Sequence, residues 1–478
     1  MNHRFAFVLP AVLVACAPVP QLGSAPVPRA AGTGTGALAS SMSLPASAAD
    51  WPVDGWWAGF GDAQLDSLIA EGLGGSPDVV LAAARVRSAG ALAQQAGAAR
   101  GPALAIDGNI GGTKQSENTG IPPAFVPKGV QDNGRLTAVL SFNLDLWGKN
   151  RAALAAARGE AAAAQVDAAQ ARLMLTTGIA AAYADLAHYY DQRDEAEAAL
   201  EVRTATAQLT AQRVQVGSET RGGQAQAEAR VPQARADILA LDEAILLTQN
   251  RLAALVGAGP DRGRTIARPV LRAVPVGVPA GAGIDLVGRR PDLVAARLRA
   301  EVAGDRIKVA RADFYPNVNL SALVGLQSLG LGNLLESGSS YGNGGLAVSL
   351  PVFDAGRIQG RYRGARADYD AAVARYDATL VTALHETADA VASRTAMDAR
   401  LAELRRALVS AEDARRIARL RYQGGLSNQL PVLTADDTLV GVRRAVTDAE
   451  SRRTALDIAL IRALGGGYRD TKPASGAK

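Results

Sequence analysis

The sequence states one plan twice, so whatever fold it adopts must contain two copies of a single unit. Residues 77–111 read PDVVLAAARVRSAGALAQQAGAARGPALAIDGNIG, and residues 291–325 read PDLVAARLRAEVAGDRIKVARADFYPNVNLSALVG, without a gap at an offset of 214. Pro77/Pro291, Asp78/Asp292, Arg85/Arg299, Gly90/Gly304, Pro102/Pro316 and Gly111/Gly325 coincide. Further along, RVQVG (213–217) answers RYQGG (421–425), and LAALVG (252–257) answers LIRALG (460–465), both at an offset of 208. Shared alanine content can mimic helix similarity, but it cannot place proline, glycine and arginine landmarks in one order.

Each unit has the same order of expected elements. A helix over 77–100 or 291–314 opens on proline, whose missing N–H costs nothing in a first turn. Two strands follow, joined by a Gly/Ser/Asn-rich loop. A proline-free helical run comes next, over 149–216 and 357–423. A glycine-marked turn leads into a last helix ending at Gly257 or Gly465. Leu401, Leu404, Leu408 and Ala411 keep the three-and-four spacing of a packed helix face. A pattern sustained this long predicts coiled-coil packing, and at 1.5 Å per residue each long run spans about 100 Å.

The strands raise the membrane question. In GRLTAVLSFNLDLWG, Leu136, Ala138, Leu140, Phe142, Leu144 and Leu146 share one face, with Arg135, Thr137, Val139, Ser141, Asn143 and Asp145 on the other. In NVNLSALVGLQ, Val318, Leu320, Ala322, Val324 and Leu326 oppose Asn317, Asn319, Ser321 and Gln327. Leu346, Val348, Leu350 and Val352 mark a fourth strand, and Leu104, Ile106 and Ile110 a weaker first one. Ordinary strands are shorter; about 9 to 11 residues is what a bilayer requires. Four strands cannot close a barrel, and an open edge in hydrocarbon leaves backbone groups unpaired at several kcal/mol each. Two copies would give eight strands with a filled interior; three would give twelve and a lumen, and a trimer is expected. Trp147 and Phe353 are expected to end the second strand of each half, at interfacial positions.

Composition fits this picture. Aromatics are 4% and apolar residues 48%, so small side chains dominate, as in closely packed helices. The net charge of +5 is spread among acids with no basic block, which gives no sign of a nucleic-acid partner. Only one cysteine occurs, so a disulfide within the chain is excluded. Met1 to Arg4 is a polar start and 5–14 an apolar run too short to span a bilayer, the pattern of a secretory leader over 1–15. Leu13-Val14-Ala15-Cys16 resembles the bacterial lipoprotein cleavage box, and Ala17, in place of Asp, favours the outer membrane. Cys16 is therefore the expected lipidation site, carrying N-palmitoyl and S-diacylglycerol groups, since stable anchoring takes more than one chain. No other cofactor or metal is expected.

At this point the sequence resembles the outer-membrane efflux proteins of the TolC/OprM type, lipoprotein branch (RND efflux system outer-membrane factor, NodT-like), from about Trp51 to Gly467. WWAGFGDAQLDSLI (56–69), ARADFYPNVNL (310–320), LPVFDAGR (350–357) and RYQGGLSNQLPVL (421–433) carry the resemblance. It implies an α+β membrane protein. Each protomer would supply four transmembrane strands and very long helices in two tandem repeats, and a homotrimer would form a 12-stranded barrel above a periplasmic helical tunnel. The segments are then 1–15 leader, 16–50 lipid anchor and flexible tether, 51–257 first repeat, 258–290 inter-repeat equatorial segment, 291–465 second repeat and 466–478 tail. The implied function is a passive exit duct completed by a periplasmic adaptor and an inner-membrane transporter, commonly a proton-driven RND pump. The sequence contains no GxxxxGK[ST] of its own to drive transport with ATP.

In the family, acidic side chains close the periplasmic tip, where crowded like charges favour cations. Relatives tend to carry Asp after VL in the second-repeat tip helix. Here that position is Thr434, so Asp436 and Asp437 are the candidate aperture ring, with Glu228 as the first acid of the matching helix in the first repeat. The turns at Gly217, Ser218, Gly425 and Leu426 are the expected adaptor-docking tips. Catalysis is not expected: His3 falls in the leader, and His188 and His385 stand alone without HExxH spacing. A non-conducting coiled-coil lipoprotein would have no use for an apolar outer band. An exit duct for type I protein secretion is the alternative within the same architecture.

Overall fold

A computed structural model describes residues 19–31, 38–40, 42–44, 49–118, 120–274, 276–279 and 282–470. The expected leader and Cys16 lie outside the described residues. The helices are α1 (Ala63–Gly75), α2 (Pro77–Ala98), α3 (Lys149–Gln215), α4 (Arg221–Leu255), α5 (Ala282–Arg289), α6 (Pro291–Ala312), α7 (Arg357–Gln423) and α8 (Leu430–Ala463). The strands are β1 (Ala103–Thr113), β2 (Gln131–Asn143), β3 (Asn317–Leu329) and β4 (Ser340–Ser349). The two long helices each hold 67 residues, and their expected bounds are met to within one residue. Among the described residues no helix is long and apolar enough to cross a membrane.

The chain divides into two compact units. Of the described residues, the first holds 19–27, 86–118, 120–164 and 296–375, and with them the whole sheet. The strands run antiparallel in the order β1-β2-β3-β4, leaving β1 and β4 as edges. The duplication reaches the register. Ala103 faces Ser141 in the first hairpin and Asn317 faces Ser349 in the second, the same pair under offsets of 214 and 208. Between the hairpins, β2 pairs with β3 from Asn133↔Leu329 to Asn143↔Asn319. Beside the sheet, Ala300 and Ala303 of α6 pack on Ala372 and Val373 of α7, small residues that allow close helix approach.

The strands stop earlier than alternation suggests. β2 ends at Asn143, because Asp145 turns to φ 45° and its carboxylate accepts from Asn150 N (2.8 Å) and Arg151 N (3.0 Å), starting α3. β4 ends at Ser349 just before Pro351, which has no N–H for a ladder. Asp354 then accepts from Ile358 N (2.7 Å) and Gly356 N (3.0 Å) at the start of α7. Trp147 and Phe353 accordingly lie four residues past the strand ends. Trp147 stacks on Tyr315 at 4.7 Å and donates to Pro316 O (2.8 Å), while Phe353 is exposed. The N-terminal segment touches α7 here: Arg366 donates to Gly23 O and Ser24 O, and Tyr369 OH to Pro26 O.

The second unit holds the described residues within 28–85, 165–295 and 376–470. Its main core joins Trp56, Phe60, Leu65, Leu68 and Ile69 to Ile179, Tyr183 and Leu186 of α3, Leu252 of α4 and Ile461 of α8. Asp62 caps α1 through Gln64 N (2.9 Å) and also accepts from Tyr183 OH (2.7 Å) and Val270 N (2.9 Å). Burial alone would raise its pKa, but these donors outweigh it and hold the carboxyl below the ordinary range. Leu401 and Ala411 are buried on α7, with Leu401 packed on Val446 and Ala449 of α8 and flanked by Leu404 and Leu408.

Two glycines close the repeats. Gly257 (φ 80°) and Gly465 (φ 88°) follow α4 and α8 in the left-handed region. A Cβ at Gly257 would lie 2.4 Å from Gly75 O, and one at Gly465 would lie 1.9 Å from Arg289 O. Gly75 and Arg289 are themselves equivalent under the 214 offset.

Candidate functional site

The register sorts the sheet into two surfaces. Residues directly opposite in antiparallel strands share a face. Leu104↔Leu140↔Ala322 and Ile106↔Ala138↔Val324 therefore make one apolar surface, which Leu320 and Leu346 continue. Most of it is open, with Leu104, Ile106 and Ile110 70%, 71% and 72% exposed, while at Gly134 the Leu331 and Leu334 side chains lie against it. On the other surface lie Asp107, Asn109, Arg135, Thr137, Ser141, Asn143, Asn317, Asn319, Ser321, Gln327, Tyr341 and Asn343. Asn143 Nδ2 donates to Asn317 Oδ1 and, at 2.7 Å, to Asn319 Oδ1, and the Thr137 hydroxyl meets Tyr341 OH. The Tyr341 ring reaches Thr137 across Gly325, where a Cβ would lie 2.3 Å from Leu136 O. This surface carries amides and hydroxyls with one Asp and one Arg over the named positions, so it offers water a wettable, nearly neutral wall.

The helix tips repeat each other as closely as the hairpins do. Gly217 and Gly425 both sit at φ 72°, and the next residue closes the turn onto the helix before it: Ser218 N to Arg213 O (2.9 Å) and Leu426 N to Arg421 O (2.8 Å). Val216 and Leu426 are exposed large side chains at these turns. The two tips touch through Arg213, whose guanidinium lies 3.8 Å over the Tyr422 ring and donates to Tyr422 O at 3.0 Å. Thr220 caps α4 by accepting from Gly223 N (3.1 Å).

The three candidate aperture acids are all engaged within the protomer. Asp436 is buried and accepts from Arg415 Nε at 2.8 Å. Asp437, half-exposed, pairs with Arg230 at 2.8 Å and Arg203 at 4.0 Å. Glu228 accepts from Gln224 Nε2 at 2.7 Å on the exposed side of α4. Sequence reasoning named the acids but not their arginines. Arg415 stands 21 residues from its partner and Arg230 over 200 from Asp437, so no local spacing announces either pair.

Higher on α3, His188 Nε2 lies 3.4 Å from Asp448 Oδ1. Burial pushes the imidazole below its ordinary value, against the pull of Asp448, Asp185 and Asp191. Among the described residues no group of His, Cys, Asp and Glu is arranged to hold a metal.

The family described as outer membrane efflux protein matches residues 68–258 and 285–466, both repeats. The fusaric acid resistance protein FusA of Burkholderia cepacia is 37% identical over 328 residues, covering 67% of this chain and 61% of that protein. The multidrug resistance outer membrane protein MdtP of Escherichia coli K12 is 31% identical over 449 residues, 90% of each chain. The outer membrane protein VceC of Vibrio cholerae has a solved structure that matches with a TM-score of 0.83 at 44% identity, covering 87% of this chain and all of that one. With both repeats matched by the family and the fold shared with VceC over 87% of its length, the chain belongs to the outer membrane efflux protein family.

Proposed function

We propose that the chain is the outer-membrane exit duct of a tripartite efflux system. Three copies would set their sheets edge to edge as a 12-stranded barrel, with the helices continuing as a periplasmic tunnel. One observation carries this reading: a four-stranded sheet with a largely exposed apolar face, a polar opposite face and two edges left unpaired in the chain. Such a sheet is stable in hydrocarbon only when its edges are closed by further strands. An apolar band outward and a hydrated face inward is the arrangement of membrane barrels. Cys16, lipidated, would hold the assembly to outer-membrane lipid through the segment that leads to Gly23.

Transport is passive, down a gradient maintained by an inner-membrane transporter of the RND class through a periplasmic adaptor. The turns at Gly217–Ser218 and Gly425–Leu426 are the adaptor-docking tips, and Asp436, Asp437 and Glu228 the candidate aperture groups. The arginine pairs suit a closed resting tip that partner contacts could loosen. Small-molecule cargo is favoured over secreted protein because the names of the relatives FusA and MdtP speak of resistance to fusaric acid and to multiple drugs.

Imaging of detergent-purified protein, joined to planar-bilayer recording, tests the reading. A three-fold hollow particle that conducts ions is expected. A single-chain particle soluble without detergent would refute it.

A further inference from the structure

The chain holds its own template for the contact between copies. In each repeat the second strand is followed in space by the first strand of the next: β2 is followed by β3. In a closed ring, β4 would be followed by β1 of the next copy, which is the same relation. The hairpins obey the repeat offsets residue for residue, so the pairing between hairpins can be transferred as well. Moving β2 onto β4 and β3 onto β1 converts Ser141↔Ser321, Ala138↔Val324 and Arg135↔Gln327 into new pairs.

We infer that β4 joins β1 of a second copy in the antiparallel register that sets Ser349 opposite Asp107, Leu346 opposite Ile110 and Asn343 opposite Thr113. The inference rests on the multi-copy reading above and deepens it to single residues. Two features of the chain agree with it. The transferred register keeps faces matched: Leu346 and Ile110 both belong to the apolar surface, Ser349 and Asp107 both to the polar one. A slip by one residue would break that match.

The second feature is Gly111. Its repeat equivalent, Gly325, has no room for a Cβ because Leu136 O of the adjoining strand stands 2.3 Å away. Within its own chain a Cβ on Gly111 would meet only the side chains of Asn133 and Asn109, at 3.5 and 3.8 Å. The transferred register supplies the missing neighbour: the carbonyl of Gly344 in the next copy takes the place of Leu136 O. Glycine at 111 then answers to the contact between copies.

Disulfide trapping tests the register. Directly opposite strand residues have Cα atoms about 4.5–5.5 Å apart, within disulfide reach, whereas diagonal neighbours two residues on are about 7–8 Å apart. The pair Ser349→Cys with Asp107→Cys lies on the polar face, open to an aqueous oxidant. In the full-length protein in outer-membrane vesicles it should give a ladder ending at three linked chains. Ser349→Cys with Asn109→Cys, or with Ala105→Cys, should give several-fold less, and each single variant, with Cys16 present, only background. A stronger ladder from either shifted pair would overturn the register while leaving the assembly reading intact. Single-chain particles would overturn both. Gly111→Val gives an independent arm: it should lower the assembled fraction several-fold, and unchanged assembly would refute the contact assigned to Gly111.

Discussion

The glycines that end the helices of each repeat, at the tips and at the repeat ends, allow a graded test of the structure. Gly217, Gly257, Gly425 and Gly465 all hold positive φ, from 72° to 88°, so alanine at any of them pays for a left-handed backbone. That cost is about 1–2 kcal/mol. At Gly217 and Gly425 a Cβ meets nothing within 4 Å, and the penalty ends there. At Gly257 and Gly465 the Cβ runs into the backbone carbonyls of Gly75 and Arg289, at 2.4 and 1.9 Å. A backbone atom cannot rotate aside as a side chain can, so α1 or α5 must move from its packed position. We expect a total of about 3–5 kcal/mol at these two sites, near the upper end for single substitutions.

The assay is thermal unfolding of the detergent-purified protein followed by helical circular dichroism. With an unfolding entropy of about 2.1 cal/mol/K per residue, a chain of this length loses about 1 °C of midpoint per kcal/mol. Gly217→Ala and Gly425→Ala should therefore cost about 1–2 °C each, and Gly257→Ala and Gly465→Ala about 3–5 °C each. Equal drops at all four positions would refute the argument, because the backbone contacts would then contribute nothing. Unequal drops within either pair would argue against the structural equivalence of the repeats.

Three further outcomes follow from the same geometry. On the apolar face, Val324→Arg should cost about 2–4 kcal/mol if it lies near the bilayer midplane, read as loss of assembled protein in outer-membrane fractions, while Ser321→Arg on the polar face should assemble normally; equal loss from both would refute the sidedness. At the tips, Asp436→Ala and Asp437→Ala remove the partners of Arg415 and Arg230, so planar-bilayer conductance should rise and cation preference fall; no change in either variant would remove both acids from the aperture. His188 is held below its ordinary value, so the folded chain binds its proton less readily than the unfolded one. Its contribution to stability is complete above about pH 6.5 and declines as pH falls through that value. His188→Gln should flatten the thermal midpoint between pH 7.5 and pH 5, and parallel profiles for the two proteins would contradict this.

Much of the architecture was legible because the landmarks are residues with few conformational choices. Pro77 and Pro291 open helices, and Gly217, Gly257, Gly425 and Gly465 end them in the left-handed region, all where their positions suggest. Alternation gave the two faces of β2 and β3 correctly. It overran at Leu144 and Leu146, because apolar spacing says nothing of Asp145 turning to φ 45° to cap α3. The same limit hid the ion pairs at the tips. An acid on a helix can be read from the sequence, but Arg230 reaches Asp437 only after α4 and α8 have been laid together by the rest of the fold.

The junction of the two hairpins carries one more consequence, in time. Each hairpin joins strands close in sequence, whereas β2 meets β3 through pairs separated by 176 residues at Asn143–Asn319 and 196 at Asn133–Leu329. Closing so long a loop comes late and slowly, since its entropy must be spent before any bond repays it. A newly exported chain would thus carry two finished half-plates, sticky along their borders, before it owns one whole plate. That interval is when wrong partners can attach to the open edges.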